Sequence, residues 1–407
     1  MIRPTVATVS LDAIQSNLRA IHDLLNRETR TSEPLGTPGN PQEPPGTSRN
    51  LEEPASAKAS ARQAPRIIAV VKANAYGHGA ARVGPALEAA GASMLACADI
   101  EEGVLLREAG VKIPILVFGA LSVSDLGGLF AHGLTPTVST PAAARALEAA
   151  AARAGVRLGC HLKIDTGMNR LGFRHDNLRR TIPDLLASRH LSIGAVYTHF
   201  ATADDAESPF LDEQRGRFDR AVAALGAMGL TGVRRHAANS AALLRDARTW
   251  YDWVRPGLLL YGIVPPPLAA ANLSLGPALS LTSRIVAVKG VRAGEGIGYG
   301  LRWKADQPRT IAIVPAGYAD GLDTRLSGRG VVLVRGRRLP IVGAVSMDMI
   351  AIDATGLDVS PGDDVVLIGR QDGDEITARE VAATIGAIPW EVVCRLGARI
   401  ERRYGSS

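Results

Sequence analysis

Cysteine is scarce in this sequence. Cys97, Cys160 and Cys394 are the only three, far apart and odd in number, which excludes a disulfide framework and a cysteine-cluster metal site. No two histidines stand at metal-ligand spacing, and the glycine-rich segments match neither a P-loop nor a dinucleotide fingerprint. Neither a metal nor a nucleotide cofactor is therefore expected. No segment approaches the ~18 consecutive apolar residues of a membrane span. The opening Met1-Ile2-Arg3-Pro4-Thr5-Val6 also lacks the apolar core of a signal peptide, so a cytoplasmic protein without a membrane partner is expected. Aromatic residues make up only 4% of the chain and are not interleaved with its short basic clusters, Arg335-Gly336-Arg337-Arg338 and Arg402-Arg403. A net charge of +6 then reads as solvated surface rather than a nucleic-acid platform.

What the chain does contain is rhythm. Leu11, Ile14, Leu18, Ile21 and Leu25 repeat at helical spacing behind Ser10, a suitable N-cap. Residues 28–65 break the pattern: rich in Pro, Gly, Ser, Thr and Glu, they bury too little to offset their ordering entropy and read as a disordered insertion. Then short apolar runs suited to buried strands alternate with helical segments. The strands are Ile67–Val71, Met94–Ala98, Ile113–Phe118, Thr135–Val138, Arg157–Ile164, Leu191–Thr198, Val233–Ala237 and a weaker one at Asp252–Val254. Between them fall helices at Ala80–Ala90, Ile100–Ala109, Ser122–Ala131, Thr140–Ala154 and a long one ending near Met228. Eight such units predict an α/β fold, a closed parallel (β/α)8 TIM-like barrel over residues 11–268. After Pro265-Pro266-Pro267 helical periods nearly vanish, and runs such as Leu279–Val288, Thr310–Val314, Val331–Val334, Met349–Ile352 and Val365–Ile368 predict a mostly β domain over 269–407. Residues 1–10 are expected to pack on that second domain.

A β/α barrel carries its active site at the C-terminal ends of its strands. Those ends hold Lys72, Lys163-Ile164-Asp165, His199, Asn239-Ser240 and Arg255, a basic and polar rim suited to an anionic, phosphate-bearing ligand. A lysine at such a desolvated mouth, beside other cations, has its pKa lowered, as a Schiff-base amine requires.

The segment Val71-Lys72-Ala73-Asn74-Ala75-Tyr76-Gly77-His78-Gly79 resembles the pyridoxal phosphate (PLP) lysine signature of the alanine racemases. Further segments agree in order: Lys163–Gly172, Thr198–Asp204, Ala238–Ala241, Val254–Gly257, Gly298-Tyr299-Gly300, Gly317–Gly321 and Ser346–Met349. Together they span almost the whole chain outside the insertion.

The resemblance implies a PLP-dependent isomerase that interconverts L- and D-alanine, supplying D-alanine for peptidoglycan. It implies a homodimer with shared active sites. Lys72 would carry the cofactor and act as base on one face of the substrate. Tyr299, from the second subunit, would be the base on the other. Two bases are needed because a single one would have to cross the ring. Arg255 would bond the pyridine nitrogen, supported by His199. Tyr76, Asn239, Ser240 and the amides near Gly257 and Leu258 would hold the cofactor, mainly its phosphate. Arg170 and the amide of Met347, the latter from the partner, would hold the substrate carboxylate. Lys163 matches a lysine often carbamylated in the family. His78, His161 and His236 read as structural. One departure is Ala398, where some members carry a tyrosine that reaches the phosphate and narrows the channel; this leaves one phosphate donor either missing or supplied by Tyr318 or water, and weakens the case for strict alanine specificity. A broader racemase accepting Ser, Lys or Arg, a related decarboxylase and a non-catalytic PLP carrier stay open as alternatives.

Overall fold

The computed structural model describes residues 4–31, 63–121, 125–269 and 273–405. Most of the expected insertion at 28–65 lies outside these residues. Its first part does not: the opening helix runs over Leu11–Thr31, continuing past Glu28. Ser10 caps it, its hydroxyl accepting from the Ala13 amide at 3.1 Å.

Eight parallel strands close into a barrel. After a first strand Val6–Ser10 (β1) they are Arg66–Val70 (β2), Met94–Cys97 (β3), Ile115–Val117 (β4), Thr135–Val138 (β5), Leu158–Asp165 (β6), Leu191–Tyr197 (β8), Arg234–His236 (β9) and Trp253–Val254 (β10). A two-residue strand, Phe173–Arg174 (β7), hangs on β6. The order β5-β4-β3-β2-β10-β9-β8-β6 is completed by pairing of β5 with β6, Thr137 opposite His161. Strand β2 shows why a continuous apolar run forms here. Ile67, Ala69 and Val71 join the layer between strands and helices, while Ile68 and Val70 pack inside the barrel with Met94, Ala96, Leu116, Ala195 and Trp253. Each large aliphatic side chain buried this way contributes roughly 1.5–3 kcal/mol.

Local signals set the helix ends. Asp99 caps Ile100–Glu108, and Thr140 caps Pro141–Ala154, which stops at left-handed Gly155. The helix expected over Ser122–Ala131 is shorter, Gly127–Ala131; residues 122–124 lie outside the described ones.

The second domain is built on a ten-stranded sheet. Within it β1 pairs antiparallel with Leu279–Arg284 and parallel with Glu401–Gly405. The single run expected at Leu279–Val288 is two strands, Leu279–Arg284 and Ala287–Val291, which pair with different neighbours. Helices do not vanish here either. Ala378–Ile385 is capped by Thr377 and ended by left-handed Gly386, and Pro389–Cys394 starts on its proline. Both are short, although Thr377 and Pro389 mark their starts.

Candidate active site

Strand β2 delivers Lys72 to the barrel mouth and the chain then turns with the wrong hand. Ala73, Asn74, Ala75 and Tyr76 all have φ between 51° and 54°, a left-handed turn that costs non-glycine residues about 1–2 kcal/mol each. It is held by Ala75 N to Val71 O (2.8 Å), Gly77 N to Ala73 O (3.0 Å) and Gly79 N to Asn74 O (2.9 Å). Buried His78 adds its Nδ1, 3.0 Å from Ala75 O and 2.9 Å from Tyr76 O. The turn leaves Lys72 and Tyr76 lining one cavity of about 580 Å³ together with Lys163, Arg170, His199 and Arg255. Burial, then the charge of Arg170, holds the Lys72 amine below its ordinary range.

Arg255 lies buried in the wall of this cavity. Its Nη1 donates to His236 Nδ1 at 2.9 Å; its Nη2 donates to the carbonyls of Thr198 and Ala237, both at 2.8 Å, and reaches His199 Nδ1 at 3.2 Å. Among the described residues no carboxylate pairs with it, and burial pushes it down to about 10. It remains a cation at neutral pH that can only donate. Because Arg255 donates, His236 Nδ1 must accept. His236 then carries its proton on Nε2 and passes it toward His161 Nδ1, 3.1 Å away. His236 also stacks on Tyr197, ring centroids 4.6 Å apart. His236 and His161, read from the sequence as structural, thus buttress Arg255, and Tyr197 joins them without having been singled out in the sequence.

At the other end of the cavity polar groups crowd around Gly257. Its amide donates to Ser240 Oγ at 3.0 Å. A side chain at Gly257 would put a carbon 2.7 Å from the Tyr76 hydroxyl, so glycine keeps this corner open. Leu258 follows in the same wall, and Asn239 lines it while capping the helix Ser240–Arg245 through its bond from Ala242 N at 2.9 Å. Hydroxyls and amides at one end, a donor-only cation without a carboxylate at the other and a lysine of lowered pKa between them fit a planar aldehyde cofactor bearing a phosphate.

Arg170 stands at the open side. Asp165, its nearest acid in sequence, is engaged by the amides of Gly167 (2.9 Å) and Asn169 (3.1 Å). Lys163 is buried and pushed down to about 8 by that burial and by Arg170 and Arg255. Trp390 and Cys394, from the unforeseen helix Pro389–Cys394, form part of the wall. Tyr299 and Met347 do not join the other candidates within this chain. Tyr299 is 78% exposed beside a separate cavity on the second domain, and Met347 is 52% exposed. Exposed Leu301 and Met349 line that cavity with Tyr299, and exposed Tyr318 donates its amide to Ser346 O, next to Met347. Ala398 is exposed and, like Tyr318, does not line the barrel cavity.

A closed barrel with a lysine at a strand end, a phosphate-type corner and a second β domain defines a barrel-type PLP enzyme. The alanine racemase N-terminal domain model matches residues 50–265, and the alanine racemase C-terminal domain model matches residues 278–404. The chain belongs to the alanine racemase family, whose members are PLP-dependent isomerases. The alanine racemase of Symbiobacterium thermophilum is 38% identical over 405 residues, covering 99% of this chain and 98% of that one. The crystal structure of alanine racemase from D-cycloserine-producing Streptomyces lavendulae superimposes with a TM-score of 0.87 at 31% identity, covering 100% of this chain and 98% of its own. The Bartonella henselae alanine racemase with covalently bound pyridoxal phosphate matches at a TM-score of 0.79 and 27% identity over 99% of both chains.

Proposed function

We propose that this protein interconverts L- and D-alanine in the cytoplasm, as a homodimer whose active sites combine residues of both subunits, and so supplies D-alanine for peptidoglycan. The observation that carries the reading is the Lys72 amine, held below its usual pKa at the mouth of the barrel between the Arg170 side and the Gly257 corner. PLP bound there would make the substrate Cα proton acidic by delocalising charge into its ring.

The chain's own residues then divide the work. Lys72 holds the cofactor and moves a proton on one face of the substrate. Tyr299 of the partner subunit moves a proton on the opposite face; its exposed position on the second domain supports a role completed by a second copy. Arg255, fixed by His199 and His236, would donate to the ring nitrogen of the bound cofactor without protonating it, which would temper the ring as an electron sink. Tyr76, Ser240 and the amides near Gly257 and Leu258 would hold the phosphate, with Asn239 shaping their wall. Arg170 and the amide of the partner subunit's Met347 orient the substrate carboxylate. Lys163, pushed down to about 8, has the neutral-amine fraction that carbamylation by carbon dioxide needs. The resulting negative charge would steady Arg170.

The test is to load the purified protein with PLP, add each L-amino acid in turn and follow optical rotation. L-alanine is expected to lose its rotation completely as the racemate forms. Bound PLP with no rotation change for any amino acid would overturn the reading, while a faster change with serine, lysine or arginine would displace alanine as the substrate.

A further inference from the structure

We infer that Glu102, from the neighbouring barrel unit, is a positioning residue that pins the left-handed turn between Lys72 and Tyr76 and thereby sets where both side chains enter the cofactor site. The inference rests on the PLP reading of Lys72. Glu102 occupies the third position of the helix Ile100–Glu108, and its amide donates to the Asp99 cap at 2.9 Å. In a capping box a glutamate there folds back onto the cap residue's own amide. Here Oε2 instead accepts from Ala98 N, just past β3, at 2.8 Å, and Oε1 accepts from Asn74 N at 3.3 Å. One carboxylate thus bridges the end of β3 and the turn that follows β2.

Asn74 is the centre of that turn. Its carbonyl accepts from Gly79 N at 2.9 Å and its Oδ1 from Ala80 N at 2.8 Å, so both bind the same segment to itself. Among the described residues, the hydrogen bond to Glu102 ties this residue to another barrel unit. Lys72 lies two residues before Asn74 and Tyr76 two residues after. A displacement of Asn74 therefore moves the cofactor lysine and the phosphate-side phenol together.

The carboxylate also acts through its charge. Lys72 is faced by Arg170, Lys163 and His199 from the barrel rim, by Cys394 from the second domain and by Glu102. Burial and Arg170 lower its pKa; Cys394 and Glu102 oppose them. Removing the Glu102 charge favours the neutral amine, so a Lys72 reaction that needs this form shifts to lower pH.

The experiment compares wild type with Glu102→Gln and Glu102→Ala. Glutamine keeps the length but loses the charge and turns an N–H2 toward one of two N–H donors. For each protein, PLP affinity of the apoprotein, the pH profile of the rate at which the lysine-linked absorbance appears, and the apoprotein Tm are measured. Both variants are expected to bind PLP ~10-fold more weakly or worse, with the loading profile displaced to lower pH. Unchanged affinity and profile overturn the inference. So does a fall in Tm with the profile unmoved, which reduces Glu102 to a fold-stabilising residue. Failure of the wild type to take up PLP would instead sink the underlying reading of Lys72.

Discussion

Arg255 Nη1 and His236 Nδ1 meet at 2.9 Å in the closed centre of the barrel, so the cation expected to face the cofactor ring is aimed by a histidine behind it. His236→Phe keeps the ring that stacks on Tyr197 but removes the acceptor. A buried guanidinium N–H then goes unmatched, costing about 1–3 kcal/mol. The expected result is a lower Tm and weaker PLP binding, both read on the purified variant. His236→Asn, which can place an amide oxygen near the Nδ1 position, should restore most of both. Equal loss in the two variants would remove the hydrogen bond as the cause.

Acid should weaken the fold before carboxylates titrate. His78 and His161 are each pushed down to about 4 by burial, and His199 and His236 lie well below their ordinary value for the same reason. Unfolded, each takes up a proton near ~6.5. Between these values the unfolded state binds more protons. The stability contribution is therefore complete above about pH 6.5 and drains as pH falls toward 4, by up to ~1.4 kcal/mol per histidine per unit. Thermal melts from about pH 7.5 to about pH 5 should show a steadily falling Tm. A flat Tm across this window would show that these rings are solvated.

If active sites are shared, two inactive variants should repair each other. Lys72→Ala and Tyr299→Phe are each expected to abolish racemisation, and Tyr299→Phe should leave the lysine-linked absorbance intact. Mixed and allowed to exchange subunits, they form a heterodimer in which one of two sites has both residues. Random pairing then predicts recovery of about a quarter of wild-type activity. No recovery, with heterodimers shown to form, would place both bases in a single subunit.

The barrel is legible in the sequence because its strands are continuous apolar runs between punctuated helices. Thr135–Val138 is found where periodicity puts it, and the helix ends at Asp99, Thr140 and Gly155 carry their own signals. Rim residues such as Lys72, Lys163 and Arg255 are legible because strand ends point to them. The left-handed turn is not. Asn74 tolerates such a conformation, but Ala73, Ala75 and Tyr76 give no sign of it, because the bonds that hold it form only once the segment has folded back on itself. His236 reads as an ordinary core histidine because its partner Arg255 is 19 residues away and meets it only across closed strands. Trp390 and Cys394 are hidden for a similar reason: a six-residue helix shows no period, and only folding of the second domain against the barrel brings it to the cavity.

Strand β1 lies between Leu279–Arg284 and Glu401–Gly405, with Val6 opposite Glu401 in parallel register. The second domain is therefore stitched from opposite ends of the sequence, and every barrel strand is made in between. During synthesis the barrel can close while β1 waits with both edges bare, and Glu401–Gly405, made after every barrel strand, seals one of them. Cleavage or truncation ahead of Glu401 would thus reach backward through the chain, baring one edge of β1 while its other edge stays paired with Leu279–Arg284.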